Sequence, residues 1–425
     1  MRKRSHGNGA PLLSVAAENH AFKLRVLVIK HVCKRGAPLL FLCMPATVVA
    51  TPDAFVAVDR ALAPIWTCSR AHETVMFQSA QFGPPIATTA FLPSGLVKIT
   101  KGSVTYKERK DYLVDYDLGR ITLTPTSRIP FLLKNNLRIQ GDKKSTFFRA
   151  LSEPSLDLVL NEGHFFADNQ VNISYVHPLL ENQNSYPQYA GATLIETSKR
   201  LLARKPISIL LMGDSISEGY NASAFIGYPP YTPSYPTLVV ESLRRVFGGH
   251  VVLDNRSHAG WRADQGLAQI NDEKLLDTLP DLVIFAYGMN DAMSIPPQTF
   301  GKTIAQMIAS FRHVSPQTEF LLISPMLPNP DWAIAPPSRF FALRDELAHL
   351  EAPGVALVDM TSIWATLLER KSFYDLTGNG VNHPNDFGHS LYAQAIISTL
   401  VPAHRLQIST TITCRMPKRS SASNR

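Results

Sequence analysis

The stretch Ile207-Ser-Ile-Leu-Leu-Met-Gly213-Asp214-Ser215-Ile-Ser217 reads as a buried strand that stops at a glycine and delivers a serine from its carboxyl end. In open parallel α/β sheets the ligand crevice lies outside the carboxyl ends of the strands, so a serine there is placed for chemistry. Three further clusters follow at domain-scale spacing: Ser257-His-Ala-Gly260-Trp261, Gly288-Met-Asn290-Asp291 and Asn379-Gly-Val-Asn-His383-Pro-Asn385. Together they offer a nucleophile, three oxyanion donors and a base.

Outward from that stretch, apolar runs at 207–212, 251–254, 282–287, 320–324 and 355–359 alternate with helical segments around 236–247, 264–276, 298–311, 338–350 and 386–400. Strand–helix alternation with wholly apolar strands predicts a parallel sheet covered on both faces, a flavodoxin-like α/β/α domain over 196–405. The texture before it differs. From 86 to 177 short alternating stretches such as Leu96-Val-Lys-Ile-Thr100, Tyr112-Leu-Val-Asp-Tyr116 and Val171-Asn-Ile-Ser-Tyr175 are separated by turns, predicting a smaller β-rich, sandwich-like domain. Residues 51–85 show no clear pattern, 178–195 read as a linker, and 406–425 as a basic polar tail.

The 425-residue chain is 45% hydrophobic, enough for a full core and two domains. Its net charge of +8 is concentrated at the ends. Eight Lys/Arg against one acid, Glu18, lie in the first fifty residues, and Arg415, Lys418, Arg419 and Arg425 lie in the last eleven. The body between has no basic stripe, which argues against a nucleic-acid partner. The basic leader runs into Ala37-Pro-Leu-Leu-Phe-Leu-Cys-Met-Pro-Ala-Thr-Val-Val-Ala50, a segment of signal-peptide length with Val48 and Ala50 at −3 and −1 of a cleavage site. It predicts export to the periplasm or the exterior; a buried helix or an extension is the alternative. The segment is short for a membrane span and holds Pro45, so no stable membrane insertion is expected. Of four cysteines, Cys33 and Cys43 fall in the leader, and Cys68 and Cys414 form no framework. No cofactor is called for, and no His/Cys cluster has the spacing of a metal site.

Each chemical candidate has an ordinary alternative. Ser215 has the position of a helix N-cap, Gly260 of a turn glycine, Asn290 of a loop Asx-turn and His383 of a surface histidine. Their shared placement at strand ends of one domain favours chemistry: a serine hydroxyl needs a base, and attack on an ester needs oxyanion donors.

In this order the four clusters resemble the signature blocks of the SGNH hydrolase superfamily, the GDSL-type esterases and lipases. Gly213-Asp214-Ser215 is similar to the nucleophile block, Gly260 to the glycine block, Gly288-Met-Asn290-Asp291 to the Gly-x-Asn-Asp block and His383-Pro-Asn385 to the histidine block. The resemblance implies a carboxylic ester hydrolase with Ser215 as nucleophile and His383 as base. It also implies an oxyanion hole of the Ser215 N–H, the Gly260 N–H and the Asn290 side chain. The substrate class it implies is a small-molecule or polysaccharide ester, commonly an acetylated carbohydrate, and two-domain carbohydrate esterases of the superfamily carry a β-sandwich before the catalytic domain. A lipase or thioesterase with the same machinery, or a carbohydrate-binding protein with a degraded site, remains open.

One position departs from the pattern. The family usually has an aspartate three residues before the histidine; here that residue is Gly380, preceded by Asn379. The expectation is a Ser–His dyad with the imidazole oriented by a backbone carbonyl, with Asp375 or Asp386 as possible orienting acids. The insertion Tyr228-Pro-Pro-Tyr231-Thr-Pro-Ser-Tyr235-Pro236 reads as a rigid aromatic loop at the pocket rim or elsewhere on the surface.

Overall fold

Five fully parallel strands form the central sheet of the carboxyl-terminal half, joined by crossovers that contain helices. Here a computed structural model describes residues 52–179 and 186–409, with side chains described for 56–179 and 186–406. The leader, the tail and Cys414 lie outside the described residues. In this half the elements are α3 (Ile195–Leu202), β12 (Ile207–Gly213), α4 (Ser215–Glu218), α5 (Tyr235–Phe247), β13 (Val251–Asn255), α6 (Ala263–Asp272), β14 (Leu282–Ala286), α7 (Pro297–Val314), β15 (Glu319–Ile323), α8 (Pro337–Ala348), β16 (Val355–Val358), α9 (Met360–Leu368), α10 (Asp386–Leu400) and α11 (Ala403–Ser409). The preceding half contains α1 (Pro52–Ala61), β1 (Arg70–Val75), β2 (Phe77–Ser79), β3 (Ile86–Thr88), β4 (Lys98–Lys101), β5 (Val104–Thr105), β6 (Tyr112–Asp115), β7 (Arg120–Leu123), β8 (Phe131–Leu133), β9 (Arg138–Gln140), β10 (Leu156–Leu158), α2 (Phe165–Asn169) and β11 (Val171–Val176).

The parallel sheet runs β13-β12-β14-β15-β16, the flavodoxin-like order in which the first strand lies between the second and third. Every residue of β14 and β15 is buried, as strands covered on both faces must be. Helices α5 and α10 pack on each other, while α6, α7 and α8 pack in sequence. Ser215 follows β12, between the ends of β13 and β14, where the chain direction of the crossovers reverses. That is the crevice position the sequence predicted.

The β-rich half is a sandwich. One sheet runs β1-β11-β4-β5 and the other β6-β7-β3-β2-β8, with β9 and β10 as a separate ribbon. Ala71, Val75, Ile99 and Ile173 of the first sheet share a core with Phe77, Ala87, Tyr112 and Ile121 of the second. The stretch 51–85, patternless in sequence, instead supplies α1, β1 and β2. Arg-Ala-His-Glu-Thr-Val of β1 hides its strand character because Glu73 and His72 are polar residues set among its buried neighbours. Ala57, Val58, Ala61, Ile65 and Trp66 join the core of the α/β half, and the Ile65 amide donates to Gln394 of α10 (3.0 Å).

The two halves meet along the segment that leads to His383. Lys371 is wholly buried; its Nζ pairs with Glu73 of β1 and lies 3.5 Å from Asp375. The Met76 amide donates to Asp375 (2.7 Å), and Gln170 donates to the carbonyls of Tyr374 and Thr377 (both 2.8 Å). Met76, Leu137, Phe166 and Tyr374 form a small apolar cluster across the same seam. Removing one member of a buried ion pair strands the other, at a cost of about 3–5 kcal/mol. Lys371→Met is therefore expected to lower the stability of the whole unit by about that amount, read as the shift in its urea unfolding midpoint.

Candidate active site

Ser215 opens α4, a single turn capped by Asp214, whose side chain accepts from the Ile216 amide (3.0 Å), and closed by Gly219 in the left-handed region. The serine is 6% exposed and its Oγ–H donates to His383 Nε2 at 2.9 Å. His383 reaches the sheet edge from the loop before α10. Its backbone N–H donates to the Asn379 side chain (3.0 Å), its carbonyl accepts from Thr377 Oγ1 (2.9 Å), and its ring stands edge-on to Tyr220 at 5.2 Å.

The other imidazole nitrogen, Nδ1, faces two oxygens: Asn221 Oδ1 at 2.8 Å and Glu162 Oε2 at 3.1 Å. With acceptors on that side, Nδ1 carries the proton and Nε2 is left as the acceptor for the serine hydroxyl. Asn221 Nδ2 donates to the Glu162 carbonyl (3.4 Å), which fixes the amide end that faces the ring. Asn379 Nδ2 donates to Glu162 Oε1 (3.0 Å). Burial pushes the Glu162 carboxyl up, but its bonds with His383, Asn379 and Asn221 outweigh this and hold it below the usual carboxylate range.

Neither aspartate considered from sequence faces the ring. Asp375 is spent in the seam between the halves, accepting from the Met76 and Ser372 amides (2.7 and 3.1 Å) beside Lys371. Asp386 accepts from the Ser223 amide (2.7 Å) and anchors the segment after Ser215. A backbone carbonyl is likewise not what Nδ1 meets here. His389, the other histidine of that region, is buried; Tyr235 N donates to its Nδ1 (3.4 Å), its Nε2 lies 3.0 Å from the Tyr220 carbonyl, and burial lowers its pKa to about 4. Glu162 and Asn221 were not foreseen. Glu162 sits 221 positions from His383, in a turn whose Asn-Glu-Gly composition signals only a change of direction.

The loops after β13 and β14 border the serine. The His258 amide donates to the Gly213 carbonyl (3.1 Å), joining the first of these loops to β12. Gly260 has φ +78°, a left-handed conformation, and open space where a Cβ would stand. Asn290 Nδ2 donates to the Trp261 carbonyl (3.0 Å), leaving its second N–H for another acceptor. Asp291 Oδ1 accepts from the Ala263 amide (3.0 Å), tying the two loops together. Of the aromatic insertion, Tyr228 donates to Asp168 and stacks on His164 (5.0 Å), while Tyr231 is exposed. Tyr228, Thr100, Lys101, Asn172 and Asn221 line a cavity of about 700 Å³ between this insertion and the sandwich. It adjoins the imidazole through Asn221. Among the described residues no three His, Cys, Asp or Glu are grouped to hold a metal ion, and no helix is long and apolar enough to cross a membrane.

A serine hydroxyl bonded to an imidazole at the carboxyl edge of a flavodoxin-like sheet is the pairing that nucleophilic serine chemistry requires. Residues 211–391 match the model of the GDSL-like lipase/acylhydrolase family, an SGNH domain whose members are carboxylic ester hydrolases. No curated protein matches the chain. Among solved structures, it is similar to a catalytic mutant of Axe2, an acetylxylan esterase from Geobacillus stearothermophilus, with 16% identity, TM-score 0.37, and 47% of this chain and 94% of that one covered. It is also similar to a two-domain esterase, CEX, described as active on acetylated mannans, with 19% identity, TM-score 0.39, and 53% and 56% covered. A lipase, Lip_vut3, from a goat rumen metagenome gives 15% identity, TM-score 0.38, and 45% and 95% covered.

Burial raises the carboxyl of Asp214 to about 7 and that of Asp291 to about 6. An acid whose pKa is raised on folding binds more protons folded than unfolded, so stability falls as pH rises through that window. These two carboxyls are expected to take stability away between pH 4 and 7, against the opposite contribution of the buried His72 and His389, whose pKa values are lowered to about 4. Asp214→Asn, which caps a helix about as well as aspartate, is expected to raise stability at pH 7 relative to pH 4 compared with the parent in urea titrations.

Proposed function

We propose that the protein is a serine esterase that removes a small acyl group, most simply acetyl, from a carbohydrate. The observation that carries this reading is the 2.9 Å bond from Ser215 Oγ to His383 Nε2. Ser215 Oγ attacks the acyl carbonyl carbon while its proton passes to Nε2. The N–H groups of Ser215 and Gly260 and the Asn290 side chain hold the tetrahedral oxyanion. Collapse breaks the bond to the sugar oxygen, which leaves with the proton from His383. Water then attacks the acyl-enzyme, gives its proton to His383 and releases the carboxylic acid, and that proton returns to Ser215. The carbohydrate part is supported by the aromatic residues near the pair. Phe225 is 47% exposed and packs on Tyr220 at 4.7 Å, and Trp261 lies beside Gly260 against His258. Such faces suit sugar rings, and the nearby cavity is lined by amide, hydroxyl and ammonium groups.

Purified protein is expected to turn over p-nitrophenyl acetate, with Ser215→Ala and His383→Ala each lowering kcat by at least about 10³-fold. Asn290→Ala is expected to lower it by about 10²–10³-fold. Activity is expected to fall as the acyl chain lengthens; a rise with chain length would replace this reading with a lipase or thioesterase. We also propose that the leader directs export, so that the N-terminus of protein recovered outside the cytoplasm is Thr51.

A further inference from the structure

We propose that Glu162, supplied by the β-rich half, is the positioning acid of the catalytic histidine, and that Gly380 and Asn379 are what admit it. This rests on the serine-esterase reading and deepens it: the active site is completed only when the sandwich half docks.

Three observations converge. First, Glu162 Oε2 lies 3.1 Å from Nδ1 of the ring whose Nε2 accepts from Ser215. Second, the carboxylate is held from its other side. Asn379 Nδ2 donates to Oε1, and the Asn379 carbonyl accepts from the amide of Asn161 (3.1 Å), the residue before Glu162. The same Asn379 side chain accepts through Oδ1 from the amides of Val381, Asn382 and His383 (2.9, 3.0 and 3.0 Å), so one fully buried asparagine shapes the histidine loop and grips its acid.

Third, the position at which the family pattern places an aspartate is physically closed to one. Gly380 has φ +87°, and a Cβ there would stand 2.5 Å from the Val159 carbonyl and closer still to the Phe166 ring. Val159 and Phe166 flank Glu162 along the chain. A local aspartate and the docked 159–166 segment cannot occupy the same space, and this chain has the segment. Its carboxylate stands in for the one the histidine block lacks. Asn221 shares the Nδ1 proton, so the tautomer has two guarantors, one neutral and one charged.

The test compares Glu162→Gln, Glu162→Asp and Ser215→Ala in the full chain, by steady-state kinetics from pH 5 to 9 and by the rate at which a fluorophosphonate labels Ser215. The glutamine is isosteric and its site half-exposed, so the fold is retained, as an unchanged Tm verifies. Because Asn221 still holds the tautomer, the loss is expected to be smaller than for a lone orienting acid: about 10–100-fold in kcat, with KM little changed. A carboxylate beside an imidazole favours the charged ring, so its removal is expected to move the acid limb of the kcat/KM profile to lower pH. Glu162→Asp is expected to recover part of the rate. If Glu162→Gln leaves kcat, labelling rate and acid limb unchanged while Ser215→Ala abolishes turnover, the positioning role falls and the esterase reading stands. If Ser215→Ala retains turnover, the esterase reading falls and this inference with it.

Discussion

The orientation of one imidazole depends on a contact between two halves of different architecture. His383 sits on an irregular segment with no strand of its own to hold it. That segment, from Arg370 to Asn385, is gripped by the sandwich: by Glu73 on Lys371, Met76 on Asp375, and Gln170 on Tyr374, Thr377 and Asn385. A loop's backbone polar groups must be satisfied wherever the loop is buried, and here the partners come from β1, the β1–β2 link and the turn before β11. The sandwich therefore acts as the wall of the site as much as a separate module.

Environment sorts the carboxylates near this seam into different jobs. Asp214, Asp291 and Asp375 are buried, and desolvation raises each of their pKa values. They receive backbone amides and hold loops in place. Glu162 is half-exposed and faces a histidine ring, and its hydrogen bonds keep it in the charged form. An acid that is to stabilise a transient imidazolium has to be an anion when the proton arrives. Of these four, the one open to water meets that condition best.

Much of the catalytic half was readable because its signals are local. Apolar runs of five to seven residues report strands covered on both faces, and a glycine followed by a serine at a strand end reports a crevice. The β-rich texture was readable where polar and apolar residues alternate, as in Tyr112–Asp115. It failed for β1, whose Glu73 is a buried charge answered by a lysine 298 positions away. It failed also for α1, whose short length gives little periodicity and whose partners lie in α5 and α10.

The residues by themselves determined the sheet, the order of its strands' chemistry, and which serine and histidine stand at its edge, because those follow from hydrophobic periodicity and turn chemistry within short windows. Only the tertiary structure decided what faces the far side of the imidazole. Sequence pointed to a backbone carbonyl, with aspartates close by in the chain as alternatives. Yet Nδ1 meets two side-chain oxygens, Asp375 and Asp386 are committed to backbone amides, and Gly380 leaves room for a distant turn. Hydrogen bonding acts over about 3 Å of space, and no pattern along the chain records which remote segment folding will bring within that reach.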